Sequence, residues 1–189
     1  MTDYFELLGL PRRAALDAGE VRAAFQRSGA AQHPDHAREP AERGARAVAF
    51  QSLQEAYAAL SSTPRRLRHL LELHGRVPAR AEVMDDALMP HFTSVHALLQ
   101  QADALLAQKS AATTPLAKAL LTAPSLEMEA SLAAAAGALL ERTGVLHGQL
   151  AAWDAAPPDW EALASVRQAS AFLEKWEAQL QQRRLSLLL

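Results

Sequence analysis

The chain has 189 residues, of which 50% are hydrophobic and 21% charged, with a formal net charge of −2. This hydrophobic content sustains a packed core, excludes global disorder, and at this length fills one ordinary domain or two small ones. Cysteine is absent, which excludes disulfides, thiol catalysis and Cys-ligated zinc or iron–sulfur centres.

Most of the apolar content is alanine and leucine, both strong helix formers, so an all-α chain is expected. No run of about 18 uncharged apolar residues occurs, so no membrane span is predicted. The opening Met1-Thr2-Asp3-Tyr4-Phe5-Glu6 has neither a basic region nor an apolar stretch, so no signal peptide is predicted and a cytoplasmic protein is expected. Residues 1–76 carry 11 Lys+Arg against 9 Asp+Glu, and residues 77–189 carry 8 against 12. A slightly basic first part and an acidic second part suggest two units with different partners, but the asymmetry is too small to imply nucleic acid.

In chain order, Tyr4, Phe5, Leu7, Leu8 and Leu10 form a short apolar helix stopped by Gly9 and Pro11. Asp17 is an N-cap with Glu20 three residues on, and Val21, Ala24, Phe25 and Gly29 follow on one helical face. That helix ends before Pro34, which forces its predecessor out of the α region. Residues 36–44, with Arg38, Glu39, Pro40, Glu42, Arg43 and Gly44, read as a solvated loop. Phe50, Leu53, Ala56, Tyr57 and Leu60 recur at helical spacing. Ser61-Ser62-Thr63-Pro64 ends that helix and starts another, with Thr63 as cap and Leu67, Leu70, Leu71 and Leu73 as the apolar side. The turn His33-Pro34-Asp35 is thus bracketed by two helices.

Residues 76–79 mark a boundary. Beyond it, a helix over 84–108 carries Leu88, Phe92, Val95, Leu98, Leu99, Leu105 and Leu106. Residues 110–124 read as a loop with one short helix inside, followed by long helices over 125–153 and 159–187. The expected architecture is therefore an N-terminal unit, residues 1–76, with an antiparallel helical hairpin around His33-Pro34-Asp35, and an antiparallel three-helix bundle over residues 77–189.

Tyr4-Phe5, Leu7-Leu8-Gly9-Leu10, His33-Pro34-Asp35 and Phe50 through Tyr57 to Leu60 make residues 3–75 resemble a J domain. That module stimulates ATP hydrolysis by chaperones of the DnaK class. The physics of the triplet suits the role. Pro34 fixes φ and blocks helix continuation, holding two polar side chains at a tip. Asp35 can accept a bidentate bond from a partner arginine, and His33 can donate or accept at neutral pH. The resemblance assigns chaperone contact to His33, Pro34 and Asp35 and to the basic face of the preceding helix, here only Arg22 and Arg27. Arg38, Arg43 and Arg46 are available to assist it.

Asp3 to Pro11, Arg66 with Leu70-Leu71-Glu72-Leu73-His74-Gly75, and Trp160, Val166, Arg167 and Phe172-Leu173-Glu174-Lys175 resemble the HscB family in particular. Members of that family serve iron–sulfur cluster assembly, their C-terminal bundle holding the scaffold protein on which clusters are built. By position the resemblance implies a scaffold-binding patch of Leu88, Met89, Phe92 and Phe172. Leu88, Phe92 and Val95 fit core packing equally well, whereas Met89 lies off the apolar stripe. The family's glutamates after the Leu-Met pair are replaced here by Pro90, His91, Thr93 and His96, and Pro90 kinks the helix or restricts it to starting there.

The resemblance thus implies a co-chaperone, not an enzyme, that stimulates a DnaK/HscA-type ATPase and delivers an IscU-like scaffold, with no membrane or nucleic-acid partner. Two alternatives stand beside it: a J-domain co-chaperone for an unrelated client, and a structural helical protein with a degenerate J domain. No cofactor is implied. His33 and His36 lack a third ligand for a metal. No phosphate loop, paired-carboxylate motif or nucleophile–base pattern occurs. His69, His74 and the tryptophans Trp153, Trp160 and Trp176 read as packing residues.

Overall fold

The computed structural model describes residues 2–32, 40–76, 86–155 and 159–188, and among them no strand occurs. The helices are α1 (Tyr4–Leu8), α2 (Ala18–Gln32), α3 (Pro40–Ser61), α4 (Thr63–Leu73), α5 (Met89–Ala111), α6 (Pro115–Leu120), α7 (Thr122–Asp154) and α8 (Trp160–Leu188). No helix among them is long and apolar enough to cross a membrane.

The caps explain the boundaries. Asp3 starts α1 by accepting the N–H groups of Phe5 and Glu6, and Gly9, left-handed at φ 64°, ends it. Asp17 accepts the N–H groups of Gly19 at 2.7 Å and Glu20 at 3.2 Å, so α2 begins where the sequence places it. Two expectations need correcting. Residues 40–44 are helical: α3 begins at Pro40, whose fixed φ suits a first turn, and the Glu42–Arg46 pair one turn apart supports it. Residues 36–39 of the expected loop lie outside the described residues. Ser62, not Thr63, occupies the cap position of α4. Thr63 sits inside the helix, and its Oγ1 lies 2.9 Å from His147 Nε2.

The chain packs as two compact units, Met1–Glu82 with His147–Gln168, and Val83–Leu146 with Ala169–Leu189. In the first, α1, α2 and α4 all pack on α3 or next to it. Its core comprises Phe5, Leu8, Leu10, Val21, Leu53, Leu60, Leu67, Leu70 and Leu71, joined by Leu150 of α7 and Leu163 of α8. Each such fully buried leucine contributes about 2 kcal/mol of transfer free energy.

Arg66, only 4% exposed, ties this unit together. Its Nε donates to the Ala14 carbonyl at 2.9 Å, Nη1 to the Leu60 carbonyl at 2.7 Å and Nη2 to Thr63 Oγ1 at 3.3 Å. One guanidinium therefore joins the end of α3, the start of α4 and the irregular connection between α1 and α2. That connection is held from its other side by Asp154, whose two carboxylate oxygens accept the N–H groups of Ala14 and Ala15 at 2.8 Å each. The peptide groups of a segment without a ladder of its own are satisfied in this way. His69 is buried against Tyr4, with ring centroids 4.4 Å apart, and its Nε2 accepts the Tyr4 N–H at 3.0 Å. The proton of the neutral ring therefore belongs on Nδ1.

In the second unit, the buried positions of α7 are Ser125, Leu132, Leu139 and Leu146, and those of α8 are Ala169, Ser170, Leu173, Trp176, Leu180 and Leu187. The seven-residue interval in α7 and the alternation of intervals of three, four and seven in α8 mark the seams of a helical bundle. Cross-links set the directions. On α5, Phe92, Asp103 and Lys109 meet Trp176, Arg183 and Leu187 of α8 in the same order, so these two helices run parallel. The chain reverses between α5 and α7 and again before α8, giving the up-down-up order of an antiparallel three-helix bundle, with Glu129 of α7 bound to Arg184 of α8.

Replacing Arg66 by Met orphans the buried carbonyls of Ala14 and Leu60 and is expected to lower stability by about 3 kcal/mol. Urea titration checks this, and a loss under about 0.5 kcal/mol would count against it. Burial holds the imidazole pKa of His69 below its ordinary value, and burial together with the Arg66 charge does the same for His147. Unfolding releases both to an ordinary pKa of about 6.5, so the unfolded chain binds more protons below that pH. The stability contributed by the neutral rings is then complete above about pH 6.5 and is lost as pH falls toward the depressed folded values. The denaturation midpoint should drop between pH 7.5 and 5.5, and less so in a chain carrying His69→Gln and His147→Gln.

Candidate functional site

The first candidate site is the tip of the α2–α3 hairpin. His33-Pro34-Asp35 and Arg38 lie outside the described residues, so the structure bears on the two helices that bracket them. Phe25 stacks on Tyr57 with centroids 4.7 Å apart and meets Phe50 at 6.1 Å. Gly29 is buried facing Phe50, whose Cε2 would lie 3.4 Å from a Cβ there, so α2 and α3 are in van der Waals contact at this level. Nearer the tip, Arg46 Nη1 donates to the Ala31 carbonyl at 3.3 Å while Nε holds Glu42 at 3.0 Å. The contacts 57 to 25, 50 to 29 and 46 to 31 advance along the two helices in opposite directions, as an antiparallel hairpin requires.

Arg22 and Arg27 are both exposed on α2. Five residues apart, they project about 140° from each other around the helix, so they do not form one basic stripe. Arg43 is also exposed. Arg46, available for partner contact on sequence grounds, is committed to Glu42 and Ala31.

The second candidate site lies on the bundle. A 3₁₀ turn over Asp86–Leu88 precedes α5, which starts at Met89 with Pro90 in its first turn, the one place where proline costs a helix nothing. This start divides the expected patch. Leu88 is only 1% exposed and offers a partner no surface, while Met89 and Phe92 are 44% and 37% exposed. Phe172 on α8 is half-buried. Phe92 and Phe172 are brought together through Trp176, whose ring lies 6.1 Å from Phe92 and 5.7 Å from Phe172.

Trp176 is buried and serves as the platform on which both phenylalanines rest, a role that sequence reasoning did not assign it. The available signal was the four-residue spacing from Phe172, which puts both rings on one face of α8. His96 stacks on Phe92 at 5.8 Å. A shallow cleft of about 200 Å³ opens beside these rings, lined by Phe92, Val95, His96, Leu99, Lys175, Trp176 and Gln179. Apolar rings held rigid and partly exposed beside a polar rim suit an amphipathic surface of another protein. Among the described residues no three His, Asp or Glu side chains converge as metal ligands would.

Comparison with known proteins agrees with this anatomy. A model of the DnaJ domain family matches residues 3–69. A Chromobacterium violaceum "Co-chaperone protein HscB homolog" is 39% identical over 75 residues, covering 39% of this chain and 43% of the relative. A Thermotoga neapolitana "Chaperone protein DnaJ" is 41% identical over 64 residues, covering 34% of this chain and 16% of the relative. The aligned segments thus span less than half the length of these relatives. Among solved structures, "Chaperone HscB from Vibrio cholerae" superposes with a TM-score of 0.56 at 21% identity, covering 96% of each chain. Human co-chaperone protein HscB gives 0.55 at 19% identity, covering 98% of this chain and 83% of that one.

Exposure separates residues open to a partner from packing residues. Phe92→Ser, at a position more than a third exposed, should cost at most about 1 kcal/mol, whereas Trp176→Ala opens a cavity and should cost about 3 kcal/mol or more. Thermal melts of the two variants check this, and equal losses would place Phe92 in the core. Sequence match and fold agree: residues 3–69 match the DnaJ domain family, and the whole chain shares the fold of two solved HscB structures.

Proposed function

We propose that this protein is a co-chaperone that stimulates ATP hydrolysis by a DnaK/HscA-type chaperone and delivers to it an IscU-like iron–sulfur cluster scaffold. The observation that carries the reading is the J-domain match at residues 3–69, whose α2–α3 hairpin brackets His33-Pro34-Asp35. Pro34 stops the helix, Asp35 accepts a bidentate bond from a chaperone arginine, and His33 supplies a neutral donor or acceptor. Arg22 and Arg27 add long-range attraction, weaker than a continuous basic stripe would give.

The client surface in this reading is Met89, Phe92 and Phe172, the two phenylalanines resting on Trp176, while Leu88 is buried. Holding the client on the same chain as the J domain makes its encounter with the ATPase intramolecular, at an effective concentration set by the connection. The chemistry belongs to the chaperone, and this chain provides positioning only.

One observation favours a second reading, in which the bundle serves an unrelated client. Leu88 is buried, and α5 carries no carboxylate from Met89 to Gln101, where the HscB family places glutamates. The two readings differ only in what is delivered.

His33→Gln should abolish stimulation of the chaperone's steady-state ATPase while leaving client binding unchanged. Full stimulation by the variant would remove the triplet from the mechanism. Titration calorimetry of the bundle's client with wild type and Met89→Ser is the companion measurement. Absence of any complex with the cluster scaffold favours the second reading without touching the first result.

A further inference from the structure

At the opposite end of the bundle unit from Met89 and Phe92, two adjoining clefts of about 410 and 260 Å³ share Lys109, Lys118 and Leu121 as walls. Their remaining apolar lining includes Leu106, Leu126 and Leu188. Leu126 and Leu188 are 60% and 65% exposed, so leucine side chains stand open to solvent along the rim. Hydroxyls of Ser110 and Ser186 border the larger cleft and those of Thr122 and Ser125 the smaller. No carboxylate is among the described lining residues of either cleft.

Among the described residues the nearby acids are engaged elsewhere or lie off the site. Asp103 is bound bidentately by Arg183 at 2.8 and 3.1 Å, and Glu129 accepts at its single Oε1 from Nη2 and Nε of Arg184 at 2.7 and 2.9 Å. Glu127, exposed on α7, does not line the clefts. Lys109 Nζ donates one bond, to the Leu187 carbonyl at 2.6 Å, leaving two of its three donors for a ligand. Lys118 is exposed. An apolar trough of this size with a few convergent polar groups is the usual form of a small-ligand site. Two ammonium groups at such a trough select an anionic head over a neutral or cationic one.

We propose that this cleft binds a single aliphatic chain ended by a carboxylate, of the medium-chain fatty-acid class, with the head between Lys109 and Lys118 and the chain along Leu106, Leu121, Leu126 and Leu188. The site is separate from the client patch: Phe92 and Lys109 stand about 26 Å apart along α5. It does not depend on the co-chaperone reading. A second copy of this chain is a poorer occupant, because it would bring the same two lysines against their equivalents.

The test is a titration of the full chain with sodium decanoate followed by backbone amide NMR shifts. The expected result is saturable shifts confined to residues 106–126 and 185–188, with much smaller shifts from decyltrimethylammonium. Lys118→Glu, a surface change made without loss of any described side-chain bond, should weaken decanoate binding about fivefold, and Lys109→Gln should weaken it as well. Equal response to the cationic amphiphile, shifts centred instead on Phe92 and Trp176, or decanoate binding unaltered by Lys118→Glu would each overturn the proposal. A peptide ending in Leu-Leu-carboxylate that saturates the cleft at lower concentration than decanoate would overturn it in favour of a protein C-terminus.

Discussion

The guanidinium of Arg66 is the interaction on which the first unit depends. A charge so deeply buried is tolerated only where its hydrogen-bonding directions are used. Arg66 uses them on the Ala14 and Leu60 carbonyls and the Thr63 hydroxyl, groups belonging to three different stretches of chain. The Ala14–Ala15 peptide is then gripped from both sides, by Arg66 at the Ala14 carbonyl and by Asp154 at the Ala15 N–H. Residues separated by 139 positions thus meet at one peptide group. The α1–α2 connection has no helix or ladder to satisfy its backbone, and this double grip is what defines its path.

The α2–α3 hairpin is organised on a different principle. Phe25, Phe50 and Tyr57 fill the space between α2 and α3, with the Phe50 ring against Gly29. Arg46 closes the end nearer the turn by donating to a carbonyl in the last turn of α2, where carbonyls lack helical partners and the dipole favours a cation. A side chain so employed contributes to the geometry of the hairpin more than to attraction of a distant partner. The basic field of α2 therefore rests on Arg22 and Arg27, which point in different directions.

The bundle shows the complementary arrangement, in which packing prepares a surface. Trp176 is buried, and the rings of Phe92 and Phe172 rest against it while staying partly exposed. Pro90 sets where α5 starts and so decides that Leu88 turns inward while Met89 remains outside. At the other end, the same bundle leaves Lys109 and Lys118 beside uncovered leucines. One scaffold thus presents an aromatic patch and a cationic apolar cleft on the same helices.

Much of this was legible in the chain itself. Ala and Leu content with apolar residues at helical spacing determined an all-α fold, because helix formation depends on local propensity and period. Asp17 with Glu20, and Gly9 before Pro11, marked helix ends through chemistry confined to a single turn. The start of α3 at Pro40 escaped the same reasoning, since a charged, glycine-containing stretch looks like a loop until the Glu42–Arg46 pair is seen in place.

What the linear pattern does not contain is which distant groups meet. That Arg66 reaches back to Ala14, that Asp154 and His147 join the N-terminal helices, and that Leu88 is covered while Phe92 is not are outcomes of packing among elements far apart in sequence. Periodicity identifies an apolar face but not what lies against it. The sequence by itself determined the helices, the triplet and the kinship to J domains; only the tertiary structure decided which apolar side chains became core and which became surface, because burial is a property of the neighbours a residue acquires.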